Sequence, residues 1–197
     1  MRKYNKENEL YRRVQARMRT RPVQKVLGID PGTHSCGLAI GTKYTAPYGK
    51  TYWSIKTVLL TATGEHLITR LYKLGGQVKA MVKFFKPDEI VIETYYTRPG
   101  HDPGAVPAIR GIILAECFKQ ARIPIEMNTL TARKLALGKG YRDKMEAHHE
   151  LAKINTVELL TLDTMSADEK DAVILCLAGI VQKGTPVCGS GKKQRKS

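Results

Sequence analysis

The chain has 197 residues, 42% of them hydrophobic, with a formal charge of +15, and that length suffices for one well-buried core. Its longest uninterrupted apolar run, Ala172 to Val181, is ten residues, too short to cross a bilayer. Residues 1–25 lack an apolar h-region, and Glu7, Glu9 and the absence of Ser there speak against a transit peptide, so the expectation is an intracellular, cytoplasmic protein, neither membrane-spanning nor secreted.

The charge is unevenly placed. Residues 1–25 hold nine Lys/Arg and two Glu, and residues 183–197 hold five Lys/Arg and no acid. Residues 26–182 are left with nineteen basic and sixteen acidic residues, a net of +3. A nearly balanced centre between basic tails points to a polyanionic partner, because Lys and Arg that neutralise phosphates release counterions. A solubilising tail, an anionic membrane or an acidic protein are the competing partners on charge alone. Cys36, Cys117, Cys176 and Cys188 are widely spaced with no C-x-x-C pair, which favours reduced thiols over zinc or disulfides.

In chain order, Lys6 to Arg19 has Leu10, Val14 and Met18 at four-residue spacing, the pattern of a basic helix ended by Pro22. Lys25 to Ile29 reads as a buried strand, with Cys36 to Ile40 as its hairpin partner and Thr51 to Val58 as a third strand. From Glu65 to Phe85 apolar residues recur every three or four positions, a long amphipathic helix with a weak point at Gly75-Gly76. Pro87-Asp88 restarts the chain into EIVIE, a fourth strand ending on Glu93, followed by a Gly- and Pro-rich loop from Tyr95 to Pro107. Helix is expected over Ala108 to Gln120, a short strand over Ile123 to Met127, and helix again from Thr129 or Thr131 through Leu137. The loop GKGYRDK then leads into a helix from Lys144 to Leu159, and Asp168 to Gln182, apolar almost all round, reads as a buried helix. Together these elements give an α/β chain with five strands and no internal repeat.

Asp30 and Glu93 each end an apolar strand, the place where α/β sheets carry their sites. Asp168 and Asp171, three apart on the last helix, share one face with about 5–6 Å between Cβ atoms. Four carboxylates brought together repel one another and raise one another's pKa, a conflict that divalent cations relieve. Oxygen-only ligands suit Mg²⁺ or Mn²⁺, and two such ions about 3.5–4 Å apart suit phosphodiester hydrolysis. Each acid also has a plainer reading: Asp30 as a turn residue, Asp168 as a helix N-cap, Asp171 as a first-turn acid favoured by the helix dipole. Glu93 resists one, because a charge closing a buried strand needs a partner or water. His148 and His149, adjacent on a helix, point apart and are expected on the surface. His34 reads as a hairpin residue, and Asp163 as a loop residue outside the site.

At these positions the chain resembles the RuvC family of Holliday-junction resolvases, within the RNase H-like nucleases. GIDPGT resembles the family's first-strand motif, KPDEIVIE its Pro-Asp-strand-Glu motif and DEKDAVILCLA its closing D-x-x-D-A helix. AIRGIILAECFKQARIPIEMNTLTARKLALGKGYRDK follows the order of the family's R-G helix, short strand and basic G-x-G loop, so the resemblance covers residues 24 to about 182. It implies an RNase H-like fold, a mixed five-stranded sheet flanked by helices, over residues 23–183, between a basic extension (1–22) and a basic tail (184–197). It implies Asp30, Glu93, Asp168 and Asp171 as ligands of two Mg²⁺ ions, with Mn²⁺ as a substitute and no small-molecule cofactor. Lys144, in the GYRDK loop, takes the place of a phosphate-contacting or charge-stabilising lysine. A second family lysine falls at Lys134 or Arg133, Lys134 being favoured, where the spacing to the G-x-G loop is one residue shorter than the family's. The family's aromatic after the strand Glu falls at Tyr96, a Tyr here, and Tyr95-Tyr96 on the loop suits stacking on unpaired bases. Lys134, Lys139, Arg142 and Lys144 make a basic loop aimed, under this fold, at the same sheet end, with Arg133 beside them as a further nucleic-acid contact; a solvated surface loop is its plainer reading. The implied activity is resolution of four-way DNA junctions by a homodimer making symmetric incisions, and the added basic arm is consistent with a phage-type member.

Three other readings compete. A YqgF-like nuclease acting on RNA or flaps shares the fold; GIDPGT also resembles the phosphate motif of actin-like sugar kinases, whose fold needs about twice this length. A non-catalytic nucleic-acid binder is the third, although clustered carboxylates near phosphates would only weaken its binding.

Overall fold

A computed structural model of the chain describes residues 24–45, 51–64, 66–95, 104–154, 157–159 and 164–183. The expected N-terminal helix, Tyr96, Asp163 and both basic tails lie outside the described residues. β1 (Lys25–Pro31), β2 (Ser35–Thr45) and β3 (Thr51–Thr61) form an antiparallel meander, followed by α1 (Leu67–Phe85), β4 (Glu89–Glu93), α2 (Val106–Lys119), β5 (Ile125–Met127), α3 (Thr129–Leu137), α4 (Lys144–Ala152), β6 (Val157–Leu159) and α5 (Ala167–Gln182). The strand order is β5-β4-β1-β2-β3-β6, with β4 and β5 parallel to β1 and β6 parallel to β3.

The five expected strands are all present as a mixed sheet. A sixth, Val157–Leu159, adds to the β3 edge, with Trp53 opposite Val157, where the sequence pattern carries the preceding helix on to Leu159. That helix stops at Ala152. Val157 and Leu159 suit either periodicity, and the unpaired backbone along β3 settles the choice, since strands complete one another's hydrogen bonds. The weak point expected at Gly75-Gly76 is also absent: α1 runs unbroken, and Gly75 is a crossing point, where an added Cβ would lie 2.3 Å from Ile112 Cγ2 of α2.

Strand alternation divides the core. Leu27, Ile29, Leu38, Ile40, Ile90 and Ile92 face the layer formed by α1 and α2. Val26, Ala39 and Val91 face α5, behind which α3 and α4 pack. Period-two alternation therefore puts Asp30 on the face of Val26 and Gly28, and Glu93 on the face of Val91, the side that α5 covers. α5 lies against the sheet at unusually close range. A Cβ on Gly28 would lie 2.2 Å from the Ala172 carbonyl oxygen, and one on Gly37 2.1 Å from that of Asp168.

Cys36, Cys117 and Cys176 are buried free thiols. Burial pushes Cys117 and Cys176 up to about 12 and Cys36 further still, so none is a thiolate at neutral pH. Among the described residues no helix is long and apolar enough to cross a membrane.

Candidate active site

β1 and β4 are parallel, with Ile29 paired to Ile92, so Asp30 and Glu93, one residue further on, emerge side by side at the same sheet end. α5 begins at that end. Its N-cap is Ser166, not Asp168: Ser166 and Glu169 form a reciprocal capping box, and Thr57 Oγ1 donates to Glu169 at 2.8 Å. Asp168 is thereby freed from capping and accepts a hydrogen bond from Ser35 Oγ at 2.5 Å. Asp171 lies one turn further along.

The four carboxylates converge electrostatically. Burial first, then the charge of Glu93 and a hydrogen bond with it, then Asp171 and Asp168, push the Asp30 carboxyl well above the usual carboxylate range. Asp171 is held the other way. Burial works to raise it, but hydrogen bonds from His148 and Lys144 prevail and hold it below the ordinary value. Lys144 Nζ lies 2.6 Å from Asp171 Oδ2 and His148 Nε2 2.9 Å from Oδ1. Glu93 accepts from the Thr129 hydroxyl, the partner that a charge closing a buried strand requires.

Around this centre the basic loop and the aromatic rim take defined places. Of the two candidates on α3, Arg133 turns inward: it is 5% exposed, donates from Nη1 to the Tyr141 and Arg142 carbonyls at 2.8 and 3.2 Å, and approaches Asp171 Oδ1 to 3.9 Å. Lys134, the residue favoured from sequence, is exposed. Lys139 and Arg142 are exposed on the loop, with Lys139 Nζ 5.0 Å from the centre of the Tyr141 ring. Tyr95, 38% exposed, lines an open cleft of about 710 Å³ together with Pro31, Glu93, Thr94, Asn128 and Thr129. The cleft reaches the carboxylates through Glu93.

Residues 26–178 match the family described as crossover junction endodeoxyribonuclease RuvC. The chain belongs to this family. A RuvC of Syntrophomonas wolfei is 28% identical over 159 residues, covering 77% of this chain and 87% of the relative. One of Bifidobacterium animalis is 26% identical over 172 residues, 86% of each chain. The Thermus thermophilus RuvC structure in complex with Holliday junction substrate aligns with a TM-score of 0.65 at 18% identity, over 81% of this chain and 94% of that one. The yeast mitochondrial Holliday junction resolvase Ydc2 aligns with a TM-score of 0.58 at 14% identity, over 89% and 85%. These likenesses place the chain in the RNase H-like RuvC fold.

The RuvC family is generally metal-dependent, and the site suits a hard cation. Its donors are carboxylate oxygens, and Asp30 is under repulsion from three neighbours, which a divalent ion would relieve. Among the described residues no three His, Cys, Asp or Glu side chains form a ready-made chelating group. Asp168, Glu93 and Asp171 are instead each engaged by a donor of the protein: Ser35, Thr129, and Lys144 with His148.

Sequence reasoning missed three of these partners. His148 is buried and on Asp171, not on the surface. Its four-residue spacing from Lys144 puts both on one helix face, a signal that was present in the sequence. Ser35 and Thr129 carry none, because their acids are distant in sequence. The choice between the two named candidates Arg133 and Lys134 carries none either, since only the packing of α3 shows which of two adjacent cations turns inward.

Proposed function

We propose that this RuvC-family endonuclease resolves four-way DNA junctions as a homodimer, cutting two strands at symmetric positions and leaving 5′-phosphate and 3′-hydroxyl ends. The observation that carries this reading is the meeting of three separate parts of the chain at one sheet end: Asp30 and Glu93 leave the parallel strands β1 and β4 side by side, and the first turn of α5, which carries Asp168 and Asp171, sits on Gly37, the partner of Asp30 on β2. Asp30, Glu93, Asp168 and Asp171 would hold two Mg²⁺ ions, or Mn²⁺. Bound there, such ions supply the charge that activates a water and stabilises the leaving oxygen in phosphodiester hydrolysis. The chain's own residues do the remainder. Ser35 and Thr129 orient Asp168 and Glu93. Lys144 contacts the scissile phosphate. Arg133 pins the basic loop, so that Lys139, Arg142 and, at the exposed end of α3, Lys134 meet the flanking backbone. Tyr95 gives the cleft a stacking surface for bases unpaired at the branch point, and Tyr96, next in sequence, is the second candidate for that role.

Residues 23–183 form the nuclease domain in this reading, acting in the cytoplasm, with the extensions 1–22 and 184–197 adding phosphate contacts. The decisive assay offers a mobile four-way junction, a flap, single-stranded DNA and an RNA duplex, each with Mg²⁺ or EDTA. Paired symmetric nicks confined to the junction and abolished by EDTA are expected. Preferential cutting of flaps or RNA, or cutting unaffected by EDTA, rejects the reading. The tail has its own measurement. Residues 184–197 carry four Lys/Arg, so deleting them lowers the slope of log affinity against log salt by up to about 3–4, at close to one unit for each phosphate that the protein then leaves to its counterions. An unchanged slope removes the tail from the interface.

A further inference from the structure

Both carboxylate oxygens of Asp171 are occupied by donors of the protein, and the donors differ in their freedom to leave. The side chains of His148, on Oδ1, and of Arg133, at 3.9 Å from the same oxygen, are 8% and 6% exposed. Arg133 is further fixed by the Tyr141 and Arg142 carbonyls. Lys144, on Oδ2, is 45% exposed. It is the first residue of α4, directly after the Asp143 N-cap and the exposed stretch Gly138–Gly140. A lysine there has an unbranched stem and a short route outward. His148 cannot follow, because it is seated within the helix packing.

We propose that Lys144 is the resident counter-ion of Asp171, holding Oδ2 until a DNA phosphate draws the ammonium away, so that the carboxylate becomes available to a divalent cation only when substrate is present. This rests on Asp171 being a metal ligand. His148 is the positioning residue of the arrangement: it keeps Asp171 aimed inward while its other oxygen changes partner. In the exchange the lysine moves from one anion to another, and Asp171 trades a monocation for a dication. The exchange also makes DNA and metal affinity mutually dependent, because any factor by which one tightens the other must be returned.

The test is Mn²⁺ binding to the full-length protein without DNA, followed by the electron paramagnetic resonance signal of free Mn²⁺. Lys144→Met removes the charge and keeps the length, and Mn²⁺ binding should tighten roughly 5- to 10-fold, the scale of removing a half-exposed ion pair and its repulsion of a dication. Junction cleavage by the same variant should fall. Lys144→Arg restores the counter-ion and should return Mn²⁺ affinity to the wild-type value. Lys139→Met removes a cation of the same loop that is not on Asp171, and should leave Mn²⁺ affinity unchanged. Unchanged or weaker Mn²⁺ binding in a folded Lys144→Met protein, checked by circular dichroism, overturns the proposal. An equal gain in Lys139→Met also overturns it, since the effect is then long-range charge. Asp171→Asn separates the two levels of argument: undiminished Mn²⁺ binding there removes Asp171 from the metal site and the exchange with it, whereas weakened binding beside an unresponsive Lys144→Met removes the exchange alone.

Discussion

Asp30→Asn should reduce junction cleavage by at least about 10³-fold while leaving junction affinity unchanged or tighter, and should make the metal-free protein more stable at neutral pH. The first effect follows from losing a charge at the reacting centre. The second follows from removing a negative charge that faces the phosphate. The third follows from the burial of Asp30. Burial and Glu93 raise the folded-state pKa of Asp30 above its unfolded value. A carboxyl of that kind holds its proton more tightly when folded, so stability is greatest at low pH and declines as pH climbs from about 4, the ordinary Asp value, through the raised one. Asn carries no such penalty, so the melting-temperature difference between variant and parent should open with rising pH. Each ~1 kcal/mol relieved corresponds to about 2–4 °C in a chain of this size. Asp171 has the opposite sign: held low by His148 and Lys144 against its burial, it contributes stability above the ordinary Asp pKa and loses it as pH falls through the depressed value. Added Mg²⁺ should close the gap between the two proteins by stabilising the parent more, through mass action on the folded state. Calorimetry from pH 4 to 8 in EDTA, beside gel-based cleavage, measures all of this. Near-parental cleavage by Asp30→Asn would remove the residue from the site.

Gly37→Ala should lower cleavage about 10²-fold although residue 37 carries no chemistry. Its Cβ would lie 2.1 Å from the carbonyl oxygen of Asp168 and 2.9 Å from the Glu169 nitrogen. Both atoms are backbone of the first turn of α5, so the helix start must move, taking Asp168 away from Ser35 and shifting Asp171. A displacement of about 1 Å among reacting groups is enough for that loss. Stability should fall by about 1–3 kcal/mol, the cost of overpacking a close contact. Gly76→Ala is the matched control. A Cβ there meets nothing within 4 Å, and the substitution should raise stability by about 0.5–1 kcal/mol through helix propensity with cleavage unaffected. Comparable cleavage losses in the two variants would show that the close contact at Gly37 does not position the acids.

The strands were legible because Val26 to Ile29 and Glu89 to Glu93 are short apolar runs bounded by turn residues, and the acid closing each could be seen without coordinates. Their common face was legible too, since alternation assigns Asp30 and Glu93 the same parity as Val26 and Val91. Local patterning misled where two periodicities coincide, at Val157 to Leu159, which pair with β3 although their spacing also continues a helix.

By itself, then, the sequence determined a basic α/β chain, the acids that close β1 and β4, and the acid pair at the start of a buried helix, since these depend on neighbours within a few residues along the chain. Tertiary structure alone decided that Arg133 and not Lys134 turns inward and that His148 reaches Asp171. Each of those arrangements is made or released by packing between segments distant in sequence, and the glycines at 28 and 37 let that packing close.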